Sequence, residues 1–238
     1  MIQTVFKRIE KKYLIDKDKY LLLLKKCGDN LLKDEFGLHM VSNIYYDTDN
    51  YELIRKSIEK PLYKEKIRLR SYDIPSDDTM VYIELKKKYE GVVHKRRVTL
   101  PLKEAKEYLE NRKINNNDQI SNEINYCLEY YLLKPKLYLA YDRIAYYGKD
   151  GEDLRVTFDT NIRSRTDDLD LTLGDAGKLL LKKDQYLMEV KSSQGLPLWF
   201  IKILDELKIY PVSFSKYGSI YQKMLKEGEI VYVWKCFR

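Results

Sequence analysis

The sequence predicts an α+β protein built on an antiparallel, eight-stranded closed β-barrel with peripheral helices. Three observations carry that prediction. Eight segments alternate with period two, as strands do. Their connections are short and lack the helical crossovers of βαβ units. One parity of these strands is apolar and the other is charged with a strong bias in sign.

The alternating segments are Phe6–Leu14, Asn43–Asp47, Lys64–Tyr72, Val81–Lys88, Val93–Thr99, Leu137–Tyr146, Leu154–Asp159 and Tyr186–Lys191. Tyrosine, present 22 times, favours such pleated, half-buried surfaces. Helices are expected between and after the strands. The first starts at Asp16 as N-cap, runs through Tyr20 to Leu24 and stops near Gly28. A short one follows Pro101, and another places Ile120, Ile124, Cys127, Leu128 and Tyr131 at helical spacing. Leu198 to Leu207 and Tyr217 to Leu225 also suit helices. Loops are expected at 74–79, 114–119, 148–153 and 166–170.

At 238 residues with no Pro/Ser/Gly-rich linker and no internal repeat, residues 1–238 read as one domain, with 226–238 an extension that pattern alone does not place. A 44% hydrophobic, 34% charged composition is that of a globular chain, not a disordered one. The apolar run Leu21 to Leu24 is far short of a membrane span, and the N-terminus opens on charged residues without a signal-peptide core. Cys27, Cys127 and Cys236 are too scattered for a disulfide framework or zinc cluster, so a reduced, cytoplasmic protein is expected. His39 and His94 lie on different elements and make a histidine metal site or triad a poor candidate, and no glycine-rich phosphate loop is present.

The net charge of +7 permits an anionic partner without naming one. Its location is more informative. Ile67 and Leu69, Val81, Ile83 and Leu85, Val156 and Phe158, Met188 and Val190 form the apolar parity. The opposite parity reads Arg8, Glu10, Lys12; Lys66, Arg68, Arg70; Glu84, Lys86, Lys88; Lys95, Arg97; Arg143, Arg155, Glu189 and Lys191. Twelve of these are cations and three are carboxylates, so the rest of the chain is slightly acidic. An ordinary solvated sheet face intersperses signs, because like charges on neighbouring strands repel. Turned into a barrel, this face needs a polyanion and a metal to neutralise it. Arginine forks grip two phosphate oxygens at once, lysines add point charges, and the sparse glutamates supply oxygen ligands for Mg²⁺ or Mn²⁺. A solvated face remains the plain alternative. So does single-stranded nucleic-acid binding through the mixed basic and aromatic residues, although nucleic acid is not the partner expected.

In order and spacing, these motifs resemble the triphosphate tunnel metalloenzyme superfamily, and more closely the catalytic domain of the VTC-type polyphosphate polymerases. Arg8-Ile-Glu10-Lys-Lys12-Tyr13 resembles the family's opening strand. Ile67-Arg68-Leu69-Arg70 resembles its paired-arginine strand, Ile83-Glu84-Leu85-Lys86 its Glu-x-Lys strand and Lys95-Arg96-Arg97 its next basic strand. Tyr141-Asp-Arg143, Arg155 with Phe158-Asp159-Thr160, Glu189-Val190-Lys191 and Phe214-Ser215-Lys216-Tyr217 are similar to the later elements. The resemblance implies an eight-stranded tunnel and metal-dependent transfer of the terminal phosphoryl group of ATP to a growing polyphosphate chain. Hydrolysis of tripolyphosphate or a nucleoside triphosphate is the alternative in the same fold, and a non-enzymatic binding module the alternative of another class. It also implies roles: Lys12, Arg68, Arg70, Lys86, Arg143, Arg155 and Lys191 as catalytic residues; Arg8, Lys88, Lys95, Arg97, Tyr141, Ser215 and Lys216 as substrate contacts; Glu189 as the principal metal ligand, with Glu10 and Glu84. ATP and inorganic polyphosphate are the implied partners, a membrane protein a further one. Two positions depart from the pattern: Arg8 stands where hydrolytic members carry a glutamate, and Ser213 where polymerase-like members carry a lysine.

Overall fold

The computed structural model describes residues 5–6, 9–112 and 118–230. The strands are β1 (Val5–Phe6), β2 (Ile9–Asp16), β3 (Leu31–Lys33), β4 (His39–Asp47), β5 (Tyr63–Tyr72), β6 (Met80–Tyr89), β7 (Val92–Pro101), β8 (Lys134–Gly148), β9 (Arg155–Arg165), β10 (Lys178–Leu179) and β11 (Gln185–Ser192). The helices are α1 (Lys17–Cys27), α2 (Glu52–Ile58), α3 (Leu102–Asn111), α4 (Gln119–Tyr130), α5 (Leu198–Glu206) and α6 (Lys216–Lys226). The strands join one antiparallel sheet in the order β1-β7-β6-β5-β4-β8-β9-β11-β2, with β3 on β8 and β10 on β9 as side additions.

The α+β class holds, but the closed eight-stranded barrel does not. Among the described residues the sheet has eleven strands and no hydrogen bonds close it. The expected single strand Phe6–Leu14 is divided between the two ends of the sheet: Val5–Phe6 pairs with β7, whereas Ile9–Asp16 pairs with β11. Phe6 and Ile9 are three residues apart, so the chain brings those ends to within about 11 Å at that corner. The sheet is therefore open in its hydrogen bonding yet strongly curled. Lys86 on β6 and Glu10 on β2, six strands apart in the order, approach to 4.0 Å across the concave side.

The apolar parity faces outward onto helices. Ile67, Leu69, Val81, Ile83 and Leu85 pack against α3 and α4 through Leu102, Ala105, Ile124 and Leu128. Tyr13, Val156, Phe158, Met188 and Val190 pack against α1 and α5 through Leu23, Phe200 and Leu204. Asp16 caps α1 as expected, its carboxylate accepting from the Lys19 amide at 2.8 Å.

A third cluster lies on the concave side. Val41, Tyr45, Leu139, Tyr141 and Leu187 meet Ile54 of α2 and Tyr217, Ile220, Tyr221 and Met224 of α6. Helix α6 thus fills one end of the curl and carries its own N-terminus toward the charged residues. The fully buried Asp47 fixes this packing: it accepts from the amides of Leu53 and Ile54 at the start of α2 and from the Tyr217 hydroxyl of α6. Helix α2 and the short strands β3 and β10 were not expected from pattern. Residues 113–117, which overlap the loop expected at 114–119, and the strand-like 231–234 lie outside the described residues. No helix of the described residues is long and apolar enough to cross a membrane.

Candidate phosphate-chain site on the concave face

Parity determines what the concave face displays. On β5 it presents Lys64, Lys66, Arg68 and Arg70; on β6 Glu84, Lys86 and Lys88; on β7 Lys95 and Arg97. Register sets these side by side, with Arg68 opposite Glu84 and Glu84 opposite Arg97.

Glu84 is the hub of this half. It is 2% exposed, and both oxygens are taken. Oε2 accepts from Arg68 at 2.7 and 2.9 Å, with Arg70 at 3.7 Å; Oε1 accepts from Arg97 and from Lys95 at 2.6 Å. Burial alone would raise its pKa, but Arg68, Arg70 and Lys95 outweigh burial and hold the carboxyl well below the usual range. Two hydroxyls extend the network: Arg68 donates to Tyr45 at 3.1 Å and Arg70 to Tyr141 at 3.1 Å. Arg70 also donates to Asn43, whose own amide is tied to the Leu139 carbonyl. The guanidinium planes are therefore fixed before any ligand arrives.

The other half centres on Glu189, 7% exposed, and Asp159, fully buried. Arg143 grips Asp159 with two bonds of 2.7 and 2.8 Å, and Lys216 reaches it at 2.6 Å. Lys216 also lies 3.4 Å from Glu189 and over the Tyr141 ring. Glu189 further contacts Lys12 at 3.5 Å and Lys191 at 3.2 Å, and Lys12 reaches Glu10 at 3.4 Å. Burial opposes ionisation of Glu189, but Lys216, Lys191 and Lys12 keep it well below the usual carboxylate pKa. Lys216 is in turn held above the ordinary lysine value: desolvation works against its charge, and Asp159 and Glu189 prevail. The expected capping role of Ser215 is present, its hydroxyl accepting from the Gly218 amide at the start of α6 and from Lys66, both at 3.2 Å.

The structure thus brings together Lys12, Arg68, Arg70, Lys86, Lys95, Arg97, Tyr141, Arg143, Lys191, Ser215 and Lys216 with Glu10, Glu84 and Glu189. Lys86 and Lys95 keep 49 and 44% of their side-chain surface exposed, so the wet lumen leaves them open to a ligand. Arg155 and Lys88 stand apart. Arg155 is exposed at the start of β9 and lies over the Tyr147 ring, and Lys88 sits opposite Lys64 at one mouth. Arg8 lies outside the described residues. The residues given roles from the sequence did not include Asp159, Lys66, Asn43 or Tyr45, although Lys66 stood in the charged parity and Asp159 in a quoted motif. Lys66 and Asp159 share the strand parity of the charged set and were legible from it; Asn43 and Tyr45 carried no charge to mark them.

A divalent cation fits the Glu189 half better than the Glu84 half. Glu10 and Glu189 both reach Lys12, and opposite Glu189 in register stands Thr157, whose buried hydroxyl has no partner. Among the described residues no three or more His, Cys, Asp or Glu converge as a cage, so the residues suit a hard cation that takes most of its oxygens from phosphate and water. Glu84 was expected as a third ligand, yet its oxygens are occupied by cations. Cavities of about 280 Å³ beside Leu109 and Leu171, and of about 610 Å³ beside Arg165 and Met224, contain none of these residues.

A family model described as the VTC domain matches residues 7–225. A search of curated proteins gives no match. Among solved structures, the chain is similar to a putative adenylate cyclase from Bacillus halodurans, at TM-score 0.56 and 17% identity over 90% of this chain and 96% of that one. It is also similar to a putative adenylyl cyclase from Hippeastrum described as having a dominant triphosphatase activity, at TM-score 0.50 and 16% identity over 94% of this chain and 97% of that one. At these identities the two structures establish a shared fold.

Proposed function

The chain belongs to the VTC-domain family, and from that premise we propose that it is a metal-dependent polyphosphate polymerase that transfers the terminal phosphoryl group of ATP to a growing phosphate chain. One observation carries the reading. The buried Glu84 is contacted by four cations, far more positive charge than one carboxylate balances, and these cations line a solvent-reached concavity. A linear polyanion supplies the missing charge.

In this reading Arg68, Arg70, Lys95 and Arg97 hold phosphate oxygens as fixed donors, with Glu84 their anchor in place of the metal-ligand role expected for it. Lys216 and Arg143 neutralise charge that develops between the reacting groups, and Lys12, Lys86 and Lys191 line the path of the chain. Arg155 and Lys88 are assigned to the ends of that path. An Mg²⁺ or Mn²⁺ ion bound through Glu189 and Glu10 would draw charge off the transferring phosphoryl group. The terminal oxygen of the growing chain attacks the terminal phosphorus of ATP, the bond to the neighbouring bridging oxygen breaks, and ADP leaves with that electron pair. Phosphoryl transfer of this kind is carried by positioning and electrostatics, so a concavity with cations and no evident general base suits it. A membrane protein that receives the product is the partner we would seek first.

The test is incubation with ATP and Mn²⁺ followed by gel detection of phosphate chains. The proposal expects ADP and acid-labile long-chain phosphate with little free phosphate. Mainly orthophosphate from ATP or tripolyphosphate would make the protein a hydrolase. Salt-sensitive binding without turnover would make it a binding module.

A further inference from the structure

The two ends of the β5–β6 hairpin differ in what they turn to the concave side. At one end the concave positions hold Lys64 and Lys88, while the tyrosines beside them, Tyr63 and Tyr89, take the outward parity. At the other end, past Arg70, the concave parity holds Tyr72 on β5 and Tyr82 on β6, with Tyr82 directly opposite Arg70. His39 of β4 stands opposite Arg143 and so faces the same way. Along this hairpin, charged concave positions give way to rings at one end only, where Phe36 of the turn before β4 joins them.

The rings form a connected row. Phe36 meets His39 at 6.4 Å between centroids, His39 meets Tyr72 at 5.9 Å and Tyr72 meets Tyr82 at 5.7 Å, all edge to face. An edge-to-face contact covers one face of one ring, whereas a stacked pair such as Tyr20 and Tyr186 covers a face of each. Ring faces are therefore left open in this row, and Phe36 and Tyr72 are exposed. The segments that carry them are tied together: Asp73 donates its amide to the Met40 carbonyl at 3.1 Å, and its carboxylate accepts from the Met40 amide at 3.3 Å.

What the row adjoins identifies its occupant. The Arg97 guanidinium lies 4.4 Å from the centroid of the Tyr82 ring, and the same side chain donates to Glu84 at 2.9 Å. Arg70, two residues before Tyr72, is held by Asn43 and Tyr141. The rings thus begin where the fixed phosphate donors end, about 7 Å beyond Arg70 along the strand, which leaves room for a sugar. A group that follows phosphate, carries no charge and offers flat faces to aromatic side chains is a nucleobase. Stacking of a base on such rings tolerates any base, because every base has a π-face.

We propose that Phe36, His39, Tyr72 and Tyr82 form a nucleobase subsite, which stacks the base of a nucleoside triphosphate whose phosphates lie against Arg70 and Arg97. The inference rests on the concave face being a phosphate site. It adds what phosphate contacts do not supply: preference for a nucleotide over a bare triphosphate, with little choice among bases.

The experiment compares equilibrium binding, without metal, of ATP and of ribose 5-triphosphate, which carries the same phosphate ester and charge but no base. For the wild-type chain we expect ATP to bind at least about fivefold more tightly. Tyr72→Ala is expected to weaken ATP about fivefold, while ribose 5-triphosphate changes by less than about twofold. Tyr72→Phe keeps the ring and is expected to retain ATP affinity. Equal loss of both ligands in Tyr72→Ala would overturn the subsite. Phe36→Ala, in an exposed turn, gives the same comparison should Tyr72→Ala fold poorly. A wild-type chain that binds both ligands equally keeps the phosphate site and loses the nucleobase subsite; one that binds neither loses both. If ATP is preferred but is turned over to orthophosphate instead of long chains, the subsite stands and the polymerase function falls.

Discussion

The two halves of the concave face use carboxylates in opposite ways. Around Glu84 one buried acid serves four cations, whereas around Glu189 three acids, Glu10, Glu189 and Asp159, face Lys12, Lys191, Lys216 and Arg143. The first half is a fixed array of donors with unbalanced charge. The second is close to neutral and shares its partners, an arrangement that suits the metal proposed at Glu189 and Glu10. In the proposed reading, the difference separates a wall that receives phosphate from one that supports the transfer.

Removing Glu84 breaks this comparison most severely. Glu84→Gln leaves Arg68, Arg70, Lys95 and Arg97 mutually repelling, and we expect a loss of about 3–5 kcal/mol in a denaturant titration. Tripolyphosphate is expected to restore much of it. Glu189→Gln is the contrasting case: Lys216 keeps Asp159 and Lys12 keeps Glu10, so about 1 kcal/mol is expected. Its main effect is on metal demand, with at least about tenfold more Mn²⁺ needed for activity. A metal titration with unchanged midpoint would reassign that residue.

Lys216→Ala tests the link between the halves. Arg143 still holds Asp159 with two bonds, so melting is expected to stay close to wild type while triphosphate binding weakens about tenfold or more. Normal binding would leave only the Ser215 helix cap in this segment.

Much of this contrast was legible in the sequence, and the limits have physical causes. Period-two alternation placed the charged parity correctly because an outward apolar face must be covered by helices. Closure was misjudged because parity tells which face a side chain takes, not which strands exchange hydrogen bonds. The division of Phe6–Leu14 between two sheet ends is invisible to alternation. Helix α2 was missed because its start is fixed by the Asp47 carboxylate, four residues before the N-cap position, and the N-cap itself, Tyr51, has a left-handed backbone with no side-chain cap. Asp159 was visible as a parity position. Its pairing with Arg143 and Lys216 needed α6 in place.

A pH titration sharpens the same contrast. Burial, with neighbouring lysines, lowers Lys66 to about 8, and burial lowers Lys95 to about 8 despite Glu84. Unfolded lysines titrate near 10.5, so between about pH 8 and 10.5 the unfolded chain binds more protons. The ligand-free protein should therefore gain stability as pH rises through that window. Bound phosphate favours the charged amines, so triphosphate affinity should be flat below about pH 7.5 and fall as pH rises past 8. Affinity that rises with pH would contradict the assignment. The smallest effect is expected for Ser215→Ala, which removes the α6 cap at a cost of about 1 kcal/mol in thermal melting.

The central claim is that the unbalanced charge around Glu84 receives a phosphate chain. A crystal structure with tripolyphosphate measures this directly. We expect phosphate density on the concave face against Arg68, Arg70 and Lys95, with one end toward Lys216. Density confined to the outer surface, or an empty concave face at saturating ligand, would contradict it.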